Sequence, residues 1–448
     1  MSAAITAADG GLRVLLLDEQ AQPGGQIYRN VGARLATHSW LGKDYASGLR
    51  LLDALAQSGA TVQFGATVWR VDSGSRVVWS QNGISQVTTA SHILLTSGAQ
   101  ERPVPFPGWT LPGVMTAGAA QILMKTAGML PKDAVLAGSG PLLYLVAAQM
   151  IDAGCPPKAL VETQTPHMML RALPHLPKAL LSAGTLLKGL GLIGKIRAAG
   201  TRRYKCASSF AATSDDSGMI NFSFRSKGRL ENLTCAVLLT HQGVIPSTHI
   251  SHAAGITHEW NAAQVAFQPS CDIWGATDRP GLHVAGDGAG IGGAEAACAA
   301  GTLAALGILR ASGNISADTR NQRATTARAT LFRTRAIRPF LDAAYAPPAE
   351  ILSPPDQTII CRCEDVTARA IRQGMSEGAA GHRQIKTSLR AGMGPCQGRM
   401  CDSTVRGILS AGKTSRMGDI APPRARTPIK PITLGEMAAL TTHSEDTA

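Results

Sequence analysis

The sequence of 448 residues is long enough for about two or three domains that each bury their own core. Its 43 basic and 30 acidic side chains give a formal charge of +13, but no basic run is interleaved with aromatic residues. We therefore expect no nucleic-acid binding, and a solvated basic surface that faces an acidic partner. We identify no secretion signal and no apolar run of membrane-spanning length. A cytoplasmic protein without a transmembrane segment is expected, with peripheral attachment at the inner membrane left open.

The first segment of the chain has the pattern of a nucleotide-binding unit. After a predicted helix at residues 2–8, the run RVLLLDE at residues 13–19 predicts a buried parallel strand that ends in acid. An acidic side chain at such a strand end, here Asp18 or Glu19, commonly binds the ribose hydroxyls of a dinucleotide. The glycine pair at residues 24–25 would let the backbone approach a pyrophosphate or a flavin. Each of these features is common on its own.

A predicted set of strands then leads to a proline-rich crossover. The predicted elements are a helix at residues 49–59 and strands at residues 61–71, 76–80, 85–89 and 92–99. The last of these strands ends near Ser97 and Gly98. The proline density of residues 101–114 forbids regular structure there, so we expect an extended crossover between domains.

A second strand–turn–helix–strand unit is centred on Gly138 and Gly140, and Glu162 ends its second strand. The helix that follows the turn offers unpaired N–H groups and a positive dipole to a phosphate. Leu143 replaces the third glycine of the usual fingerprint. A plain structural βαβ unit is the alternative. The occupant of a nucleotide site here is left open between NAD(P) and ATP/ADP.

Three further segments are assigned by composition. Residues 164–204 are predicted to be helical and basic, with repeated leucines, and to pack as ordinary amphipathic core rather than bind a membrane. Residues 311–357, rich in arginine and proline, are predicted to form a connector. The polar end of the chain, after residue 440, is predicted to be disordered.

A short apolar strand at residues 277–287 ends in Gly286 and Asp287 and runs into a glycine-rich helix start. This pattern resembles the end of the flavin-binding domain in flavoproteins of the two-dinucleotide-binding superfamily, and the resemblance implies that the aspartate contacts the flavin's ribityl chain. The alternative is that Asp287 merely caps the helix.

Four of the nine cysteines lie close together in sequence near the C-terminus, as a C-x-C pair and a C-x4-C pair: Cys361, Cys363, Cys396 and Cys401. Two close pairs far apart suit a four-thiolate metal site, whereas disulfides are disfavoured in a chain without a secretion signal. The C-x-C spacing is unusual for structural zinc, so we favour an iron–sulfur cluster, with zinc or unligated cysteines as alternatives. Between the pairs, a helix at residues 366–374 is predicted, with Thr367 as N-cap and Ile371 as its apolar anchor.

The amino-acid sequences of these segments resemble those of a known family. LLLDEQAQPGGQIYR at residues 15–29 and TSGAQERPVPFPGWTLPGV at 96–114 resemble flavoproteins of the two-dinucleotide-binding superfamily. CRCEDVT at 361–367 with LRAGMGPCQGRMC at 389–401 resembles the bacterioferritin-associated-ferredoxin-like (BFD-like) [2Fe–2S] domain. In particular it resembles the version fused to the larger flavoprotein subunit of hydrogen cyanide synthase, opine oxidase and dye-linked proline or hydroxyproline dehydrogenases.

The resemblance implies an α/β fold of two doubly wound, Rossmann-like dinucleotide-binding domains, one inserted in the other, plus a small helical [2Fe–2S] domain. The implied boundaries are 1–103 and 250–312 for the FAD-binding domain, 104–249 for the second nucleotide-binding domain, 313–356 for a linker, 357–412 for the [2Fe–2S] domain and 413–448 for a tail. The four cysteines are the implied metal ligands. The candidate cofactor-binding residues are Glu19 (with Asp18 in reserve), Gly24, Gly25, Gln26, Ser97, Gly98, Gly138, Gly140, Glu162, Gly286 and Asp287.

The glycine fingerprint G-x-G-x-x-G that should precede the first acidic strand would fall before Met1. A missing central strand would leave backbone groups of its neighbours unpaired. We therefore expect a start codon assigned too late rather than a product that lacks this strand. Equal flavin retention with and without the upstream in-frame codons would contradict that expectation.

By this resemblance the chain is expected to be an FAD- and [2Fe–2S]-dependent oxidoreductase subunit that relays electrons during oxidation of an amine, imino acid or opine. The implied partner is an amine-oxidase-type flavoprotein subunit, with a small ferredoxin-like subunit left open. No Ser/His/Asp set, H-E-x-x-H or paired-carboxylate pattern is evident, so no catalytic residue is assigned. The alternatives are a self-contained NAD(P)H:acceptor reductase and a scaffold subunit without bound flavin.

Overall fold

The fold is given by a computed structural model, which describes residues 1–34, 38–72, 75–412 and 415–445. The helices are α1 (Ser2–Asp9), α2 (Val31–Arg34), α3 (Lys43–Ala46), α4 (Gly48–Gln57), α5 (Ala117–Ala127), α6 (Pro141–Asp152), α7 (Pro166–Ala172), α8 (Leu176–Ala179), α9 (Ala183–Ala198), α10 (His249–Ala253), α11 (Ala294–Ala311), α12 (Ala317–Ala336), α13 (Arg338–Ala344), α14 (Ala349–Leu352), α15 (Ala368–Ser376), α16 (His382–Leu389), α17 (Asp402–Ala411) and α18 (Leu434–Glu445).

The strands complete the description. They are β1 (Leu15–Asp18), β2 (Thr61–Phe64), β3 (Thr67–Val71), β4 (Arg76–Gln81), β5 (Ile84–Thr89), β6 (Ile93–Leu95), β7 (Ala99–Glu101), β8 (Val114–Thr116), β9 (Ala134–Ser139), β10 (Ala159–Glu162), β11 (Arg202–Tyr204), β12 (Ala207–Ser214), β13 (Ile220–Ser226), β14 (Arg229–Cys235), β15 (Val237–Gln242), β16 (Val244–Pro246), β17 (His258–Asn261), β18 (Ala266–Pro269), β19 (Leu282–Val284), β20 (Ile359–Cys361) and β21 (Val366–Thr367).

The middle of the chain forms a five-stranded parallel sheet in the order β11-β10-β9-β15-β8. All six residues of β9 are buried, as expected for a strand covered on both faces. On one face Leu136 packs with Leu143 of α6 and Ile196 of α9, and on the other Val135 packs with the phenylalanines of β13. The predicted α/β class is confirmed.

The first part of the chain and residues 250–312 form two parallel strand pairs, β1-β2 and β19-β6, and an antiparallel sheet, β3-β4-β5. Among the described residues no strand joins the two parallel pairs. Helix α1 packs closely on α11. A Cβ added to Gly301 of α11 would lie 3.4 Å from the backbone nitrogen of Ala3 in α1. The domain boundaries given above stay predictions.

The segment expected to be a plain connector is largely helical. Helices α12, α13 and α14 occupy it, and the Ser316 side chain caps α12 by accepting a hydrogen bond from the Thr319 N–H at 3.1 Å. Ala324, Ala327 and Leu331 of α12 are buried against α11. The sequence obscures these helices, because the apolar residues on the buried face of α12 are few and are separated by arginines and threonines.

The C-terminal helices form a separate small core around Cys361 and Cys401. The helix predicted there is confirmed as α15: the Thr367 side chain accepts a hydrogen bond from the Ala370 N–H at 3.3 Å, and Ile371 is fully buried. The prediction of a disordered tail after residue 440 is wrong in part, since residues 441–445 continue α18. Residues 446–448, which the same prediction includes, lie outside the described residues.

The segment around α7, α8 and α9 contradicts the expectation of ordinary core. Its most apolar 18-residue window has a mean hydropathy of 1.4, yet only 17% of that window is buried. By length and composition two helical stretches, Pro166–Ala198 and Ala294–Ala311, could cross a membrane. The prediction that no apolar stretch reaches that length is therefore wrong, although the second stretch is α11, a core helix half of which is buried.

Candidate functional site

The four clustered cysteines come together from three local structures. Cys361 ends β20, Cys363 lies in the turn after it, Cys396 lies in the loop after α16, and Cys401 precedes the first residue of α17. The Cys401 thiol is hydrogen-bonded to Cys361, and Cys363 is hydrogen-bonded to Cys396. Each pair therefore joins one sulfur from each motif. All nine cysteines are free thiols.

Backbone groups of two glycines surround these sulfurs. The Gly392 N–H donates to the Cys361 Sγ at 3.5 Å, and a Cβ added to Gly394 would lie 2.1 Å from the Cys363 Cβ. Hydrogen bonds, chiefly from Cys401, lower the pKa of Cys361 to about 5, whereas the pKa of Cys401 is raised well above its usual value. Backbone N–H groups, including that of Gly392, add to this lowering of the Cys361 pKa, and N–H donors to sulfur are common around iron–sulfur clusters.

The arrangement also bears on the choice between iron–sulfur and zinc. Within the described parts of the chain, no group of three or more His, Cys, Asp or Glu side chains is placed to hold a single metal ion. A structural zinc ion needs four ligands around one point, whereas two irons need two thiolates each. The four thiols interact with one another across the two motifs and could supply such a set of thiolates. The ligand assignment itself stays a prediction.

Three of the segments predicted to hold FAD converge. Strands β6 and β19 run parallel, so Ser97 and Gly286 follow them at the same edge, and a Cβ on Gly288 would lie 2.9 Å from the Ser97 Oγ. The Gln26 side-chain amide donates to the Ala99 carbonyl at 3.5 Å, which brings the loop of Gly24 and Gly25 to the same place. Glycines that leave room at a strand edge fit a bound flavin.

The Asp287 carboxylate already accepts hydrogen bonds from the backbone of the same chain. Its Oδ1 accepts hydrogen bonds from the Gly292 and Gly293 N–H groups at 2.8 and 2.9 Å, at the entry to α11. The Asp287 carboxylate therefore holds the loop that leads into α11 but does not cap this helix, whose N-cap residue is Gly293 and which has no side-chain cap hydrogen bond. Contact of Asp287 with FAD stays a prediction.

Replacing Asp287 separates these two roles. We expect Asp287→Ala to lower the free energy of unfolding by about 1 kcal/mol, because two N–H groups lose their acceptor, and also to lower the FAD content. Asp287→Asn keeps an acceptor oxygen and should retain most of the stability. Chemical denaturation and FAD absorbance per chain measure both effects. An unchanged FAD content in the alanine variant would mean that Asp287 only holds the loop before α11.

The acid at the end of β1 has an unexpected partner. Glu19 accepts a hydrogen bond from the Lys430 ammonium at 2.7 Å, and Asp18 instead accepts from the Gln20 N–H at 2.9 Å. Lys430 belongs to the stretch before α18, which also attaches to β3 through the Ile429 N–H and the Trp69 carbonyl at 2.9 Å. No sequence signal pointed to Lys430, because it lies 411 residues from Glu19. The Glu19 side chain is partly exposed, and its contact with a ribose stays a prediction.

The second nucleotide turn has the predicted backbone but an occupied acid. Gly138 and Gly140 both have positive φ, and a Cβ on Gly138 would lie 1.7 Å from the His241 carbonyl oxygen. Glu162 is buried, accepts two hydrogen bonds from Arg203 at 2.6 and 2.9 Å, and accepts one from the Tyr144 hydroxyl at 2.7 Å. Both carboxylate oxygens are thus in use. These residues do not fit a dinucleotide ribose bound to Glu162 unless Arg203 or Tyr144 moves.

The predicted cluster loop contacts the predicted flavin segment. The Gln100 side-chain amide donates to the Arg399 carbonyl at 3.1 Å, and His249 Nε2 is 2.8 Å from Gln397 Oε1. The Trp109 indole N–H donates to the Ile359 carbonyl at 2.6 Å, close to Cys361. Sequence reasoning missed these contacts, although Gln100 lies inside the crossover motif and Gln397 lies between two predicted ligands.

Comparison with known proteins finds matches to both parts of the site, the nucleotide-binding part and the part that holds the four cysteines. Residues 1–304 match the pyridine nucleotide-disulphide oxidoreductases, and residues 359–411 match the BFD-like [2Fe-2S] binding domain. The fold and the site thus define a flavoprotein oxidoreductase with a [2Fe–2S] domain. More narrowly, the chain belongs to the pyridine nucleotide-disulphide oxidoreductase family and to the branch that contains the A subunit of opine oxidase, which confirms the resemblance.

Three relatives illustrate the match. The A subunit of opine oxidase from Agrobacterium tumefaciens is 41% identical, over 98% of this chain and 89% of that protein. Hydrogen cyanide synthase subunit HcnB of Pseudomonas aeruginosa is 32% identical, over 96% of this chain and 94% of that protein. The structure of L-proline dehydrogenase from P. horikoshii shares the fold, with a TM-score of 0.71 at 17% identity over 97% of this chain and 77% of that one.

Proposed function

We propose that this chain is the electron-relaying subunit of a heteromeric dehydrogenase that oxidises the C–N bond of an amine, imino acid or opine. When bound, FAD supplies two-electron chemistry and a [2Fe–2S] cluster supplies one-electron chemistry. The observation that carries the proposal is the hydrogen-bonded contact between the crossover strand β7 and the cysteine loop. Since β7 directly follows Ser97 and Gly98, this contact keeps the two predicted cofactor sites next to each other.

The chain's own residues position the two sites. Strand β7 pairs antiparallel with β16, and the Ser97 hydroxyl donates to the Ser247 carbonyl at 2.6 Å just beyond that ladder. His249 follows two residues later and reaches Gln397 in the cysteine loop. Buried aliphatic side chains around Cys361 and Cys401 keep water away from two of the four sulfurs. Position and shielding are the contributions that a relay protein makes to its cofactors.

The proposed substrate class and partners come from the relatives. The opine oxidase protein and hydrogen cyanide synthase subunit HcnB are each named as one subunit of an enzyme. We infer that an amine-oxidase-type flavoprotein subunit holds the substrate, with a small ferredoxin-like subunit as a further component. The predicted FAD-binding residues and the four cysteines would then lie on the electron path rather than against the substrate.

The rival function is an NAD(P)H:acceptor reductase, and the pairing of Glu162 with Arg203 disfavours its NADH-dependent form, because the acid that would bind the ribose hydroxyls is occupied. Mixed anaerobically with NADH or NADPH, the FAD-loaded chain is expected to keep its flavin absorbance. An amine, imino acid or opine should bleach the flavin only when the partner subunit is present. Rapid bleaching by NADH alone would support the reductase and contradict the relay.

A further inference from the structure

An open cavity of about 580 Å³ lies between α12 and the segment that joins β18 to β19, and we call it the α12 cavity. Ligand sites in proteins commonly measure about 300–1,000 Å³, so this volume suits a small organic molecule. Side chains of α8 and α11 complete the walls of the cavity. Its described lining includes none of the predicted cofactor-binding residues and none of the four clustered cysteines. The α12 cavity is therefore built from residues that the proposed function does not use.

Three basic side chains line the α12 cavity: Lys178, Arg328 and Arg335. Among the residues that the structure describes, neither Lys178 nor Arg335 has an ion-pair or hydrogen-bond partner. Arg328 lies over the Trp274 ring, with its Cζ 4.7 Å from the ring centroid, and its Nη2 is 3.5 Å from Asn321 Oδ1. The Nε of Arg328 is buried and has no hydrogen-bond partner in the described chain. The cavity thus offers positive charge and N–H donors to a ligand.

The two acidic side chains of the lining, Glu259 and Asp272, are used for other contacts. Asp272 Oδ1 accepts hydrogen bonds from the backbone N–H groups of Trp274 and Ala276, both at 2.8 Å. Glu259 Oε1 accepts a hydrogen bond from the Ser270 hydroxyl at 2.8 Å. Neither carboxylate forms an ion pair with a basic side chain of the described chain. A ligand that brings its own negative charge can therefore pair with the basic side chains of the cavity.

Large apolar side chains stand beside these charges. Phe332 is 64% exposed and Ile273 is 53% exposed, and both line the α12 cavity. Leu331 and Ala300 extend this apolar part of the lining. A ligand that covers these side chains removes apolar surface from water, which favours binding. The chemistry of the cavity therefore calls for a molecule with an apolar body as well as an anionic group.

We propose that the α12 cavity binds a small organic anion that carries a carboxylate on an apolar body. The guanidinium groups of Arg328 and Arg335 suit a carboxylate, because each can donate two N–H groups to its two oxygens. Phe332 and Ile273 suit the apolar body. Inorganic phosphate would leave these two side chains uncovered. A metal ion does not fit, since no group of three or more His, Cys, Asp or Glu in the described ranges is placed to hold one.

Calorimetric titration of the purified full chain with 4-phenylbutyrate tests this proposal. We expect saturable binding of one molecule per chain and a higher melting temperature with the ligand, because the ligand binds only the folded chain. The neutral amide 4-phenylbutyramide lacks the charge and inorganic phosphate lacks the apolar body, so each should bind at least about tenfold more weakly. Arg335→Gln should weaken the binding of 4-phenylbutyrate about tenfold, and Phe332→Ser should weaken it severalfold.

Arg333→Gln is the matched control, because Arg333 is next to Phe332 on α12 but is paired with Glu295 at 2.5 Å and is not part of the described lining. It should leave the affinity unchanged. Circular dichroism and thermal unfolding without ligand verify that each variant folds. No saturable binding, equal affinity for 4-phenylbutyrate and its amide, or full binding by the Arg335→Gln variant would overturn the proposal. So would displacement of 4-phenylbutyrate by FAD, since the cavity would then belong to the flavin site. None of these outcomes depends on the relay function.

Discussion

Cys401→Ser is expected to abolish the iron–sulfur cluster while leaving the flavin part of the chain folded. Cys401 is buried in the small C-terminal core, and its thiol interacts with Cys361 and Cys396. A serine oxygen is a poor iron ligand, and losing one of four thiolates removes the ligand set of one iron. Iron and acid-labile sulfide per chain should fall from two of each, as the cluster type requires, to near zero.

Cys155→Ser is the matched control, because the Cys155 thiol is only half-buried and contacts the Pro131 carbonyl far from the cluster loop. It should leave iron, sulfide and the visible spectrum unchanged. FAD content should be equal in both variants, since the flavin segments do not include either cysteine. Zinc in anaerobically reconstituted wild-type protein, with no sulfide, would contradict the cluster assignment.

The local motifs of this chain were predictable because they depend on residues close in sequence. The acid-ended strand before Glu19, the turn at Gly138 and the N-cap at Thr367 all follow from backbone requirements that a few neighbouring residues express. The two cysteine pairs were recognisable for the same reason. Their pairing across the motifs, Cys361 with Cys401, follows from the packing of α15 and α17 and not from spacing.

Contacts between distant segments were not predictable. Lys430 on Glu19, Arg203 on Glu162 and His249 on Gln397 join residues that share no periodicity or motif. Each of these contacts engages a side chain in a hydrogen bond within the protein, which the sequence alone does not reveal. Exposure was equally hidden: the leucines of α7 and α9 have the composition of core, and only the tertiary arrangement leaves them in solvent.

The second large effect concerns the contact between the cysteine loop, residues 396–401, and the flavin unit, here strand β7 and His249. The double change Gln100→Ala and Gln397→Ala removes three hydrogen bonds: to the Arg399 carbonyl at 3.1 Å, to His249 at 2.8 Å and to the Pro428 carbonyl at 2.6 Å. Only the bonds to the Arg399 carbonyl and to His249 join the cysteine loop to the flavin unit, and at about 1 kcal/mol each their loss shifts the docking equilibrium of the [2Fe–2S] domain by about thirtyfold.

Gln397 indicates how specifically this contact is built. Its φ of +50° is a left-handed backbone conformation that costs a non-glycine residue roughly 1–2 kcal/mol, and the two side-chain hydrogen bonds offset that cost. Without them the loop has less reason to keep its shape against β7. Electron transfer to the cluster should therefore slow by tenfold or more in the double variant, while FAD, iron and sulfide contents stay at wild-type values.

Anaerobic photoreduction followed by electron paramagnetic resonance measures this rate, and hydrogen exchange at residues 395–401 reports docking independently of electron transfer. Gln373→Ala is the control, because Gln373 lies in the same small domain but its amide pairs with Glu377 on the same helix end at 2.9 Å. Faster exchange with an unchanged transfer rate would mean that docking does not limit the relay. Unchanged exchange and an unchanged rate would mean that the hydrogen bonds to Gln100 and Gln397 do not hold the domain, and the buried Trp109–Ile359 contact would then be the one that does.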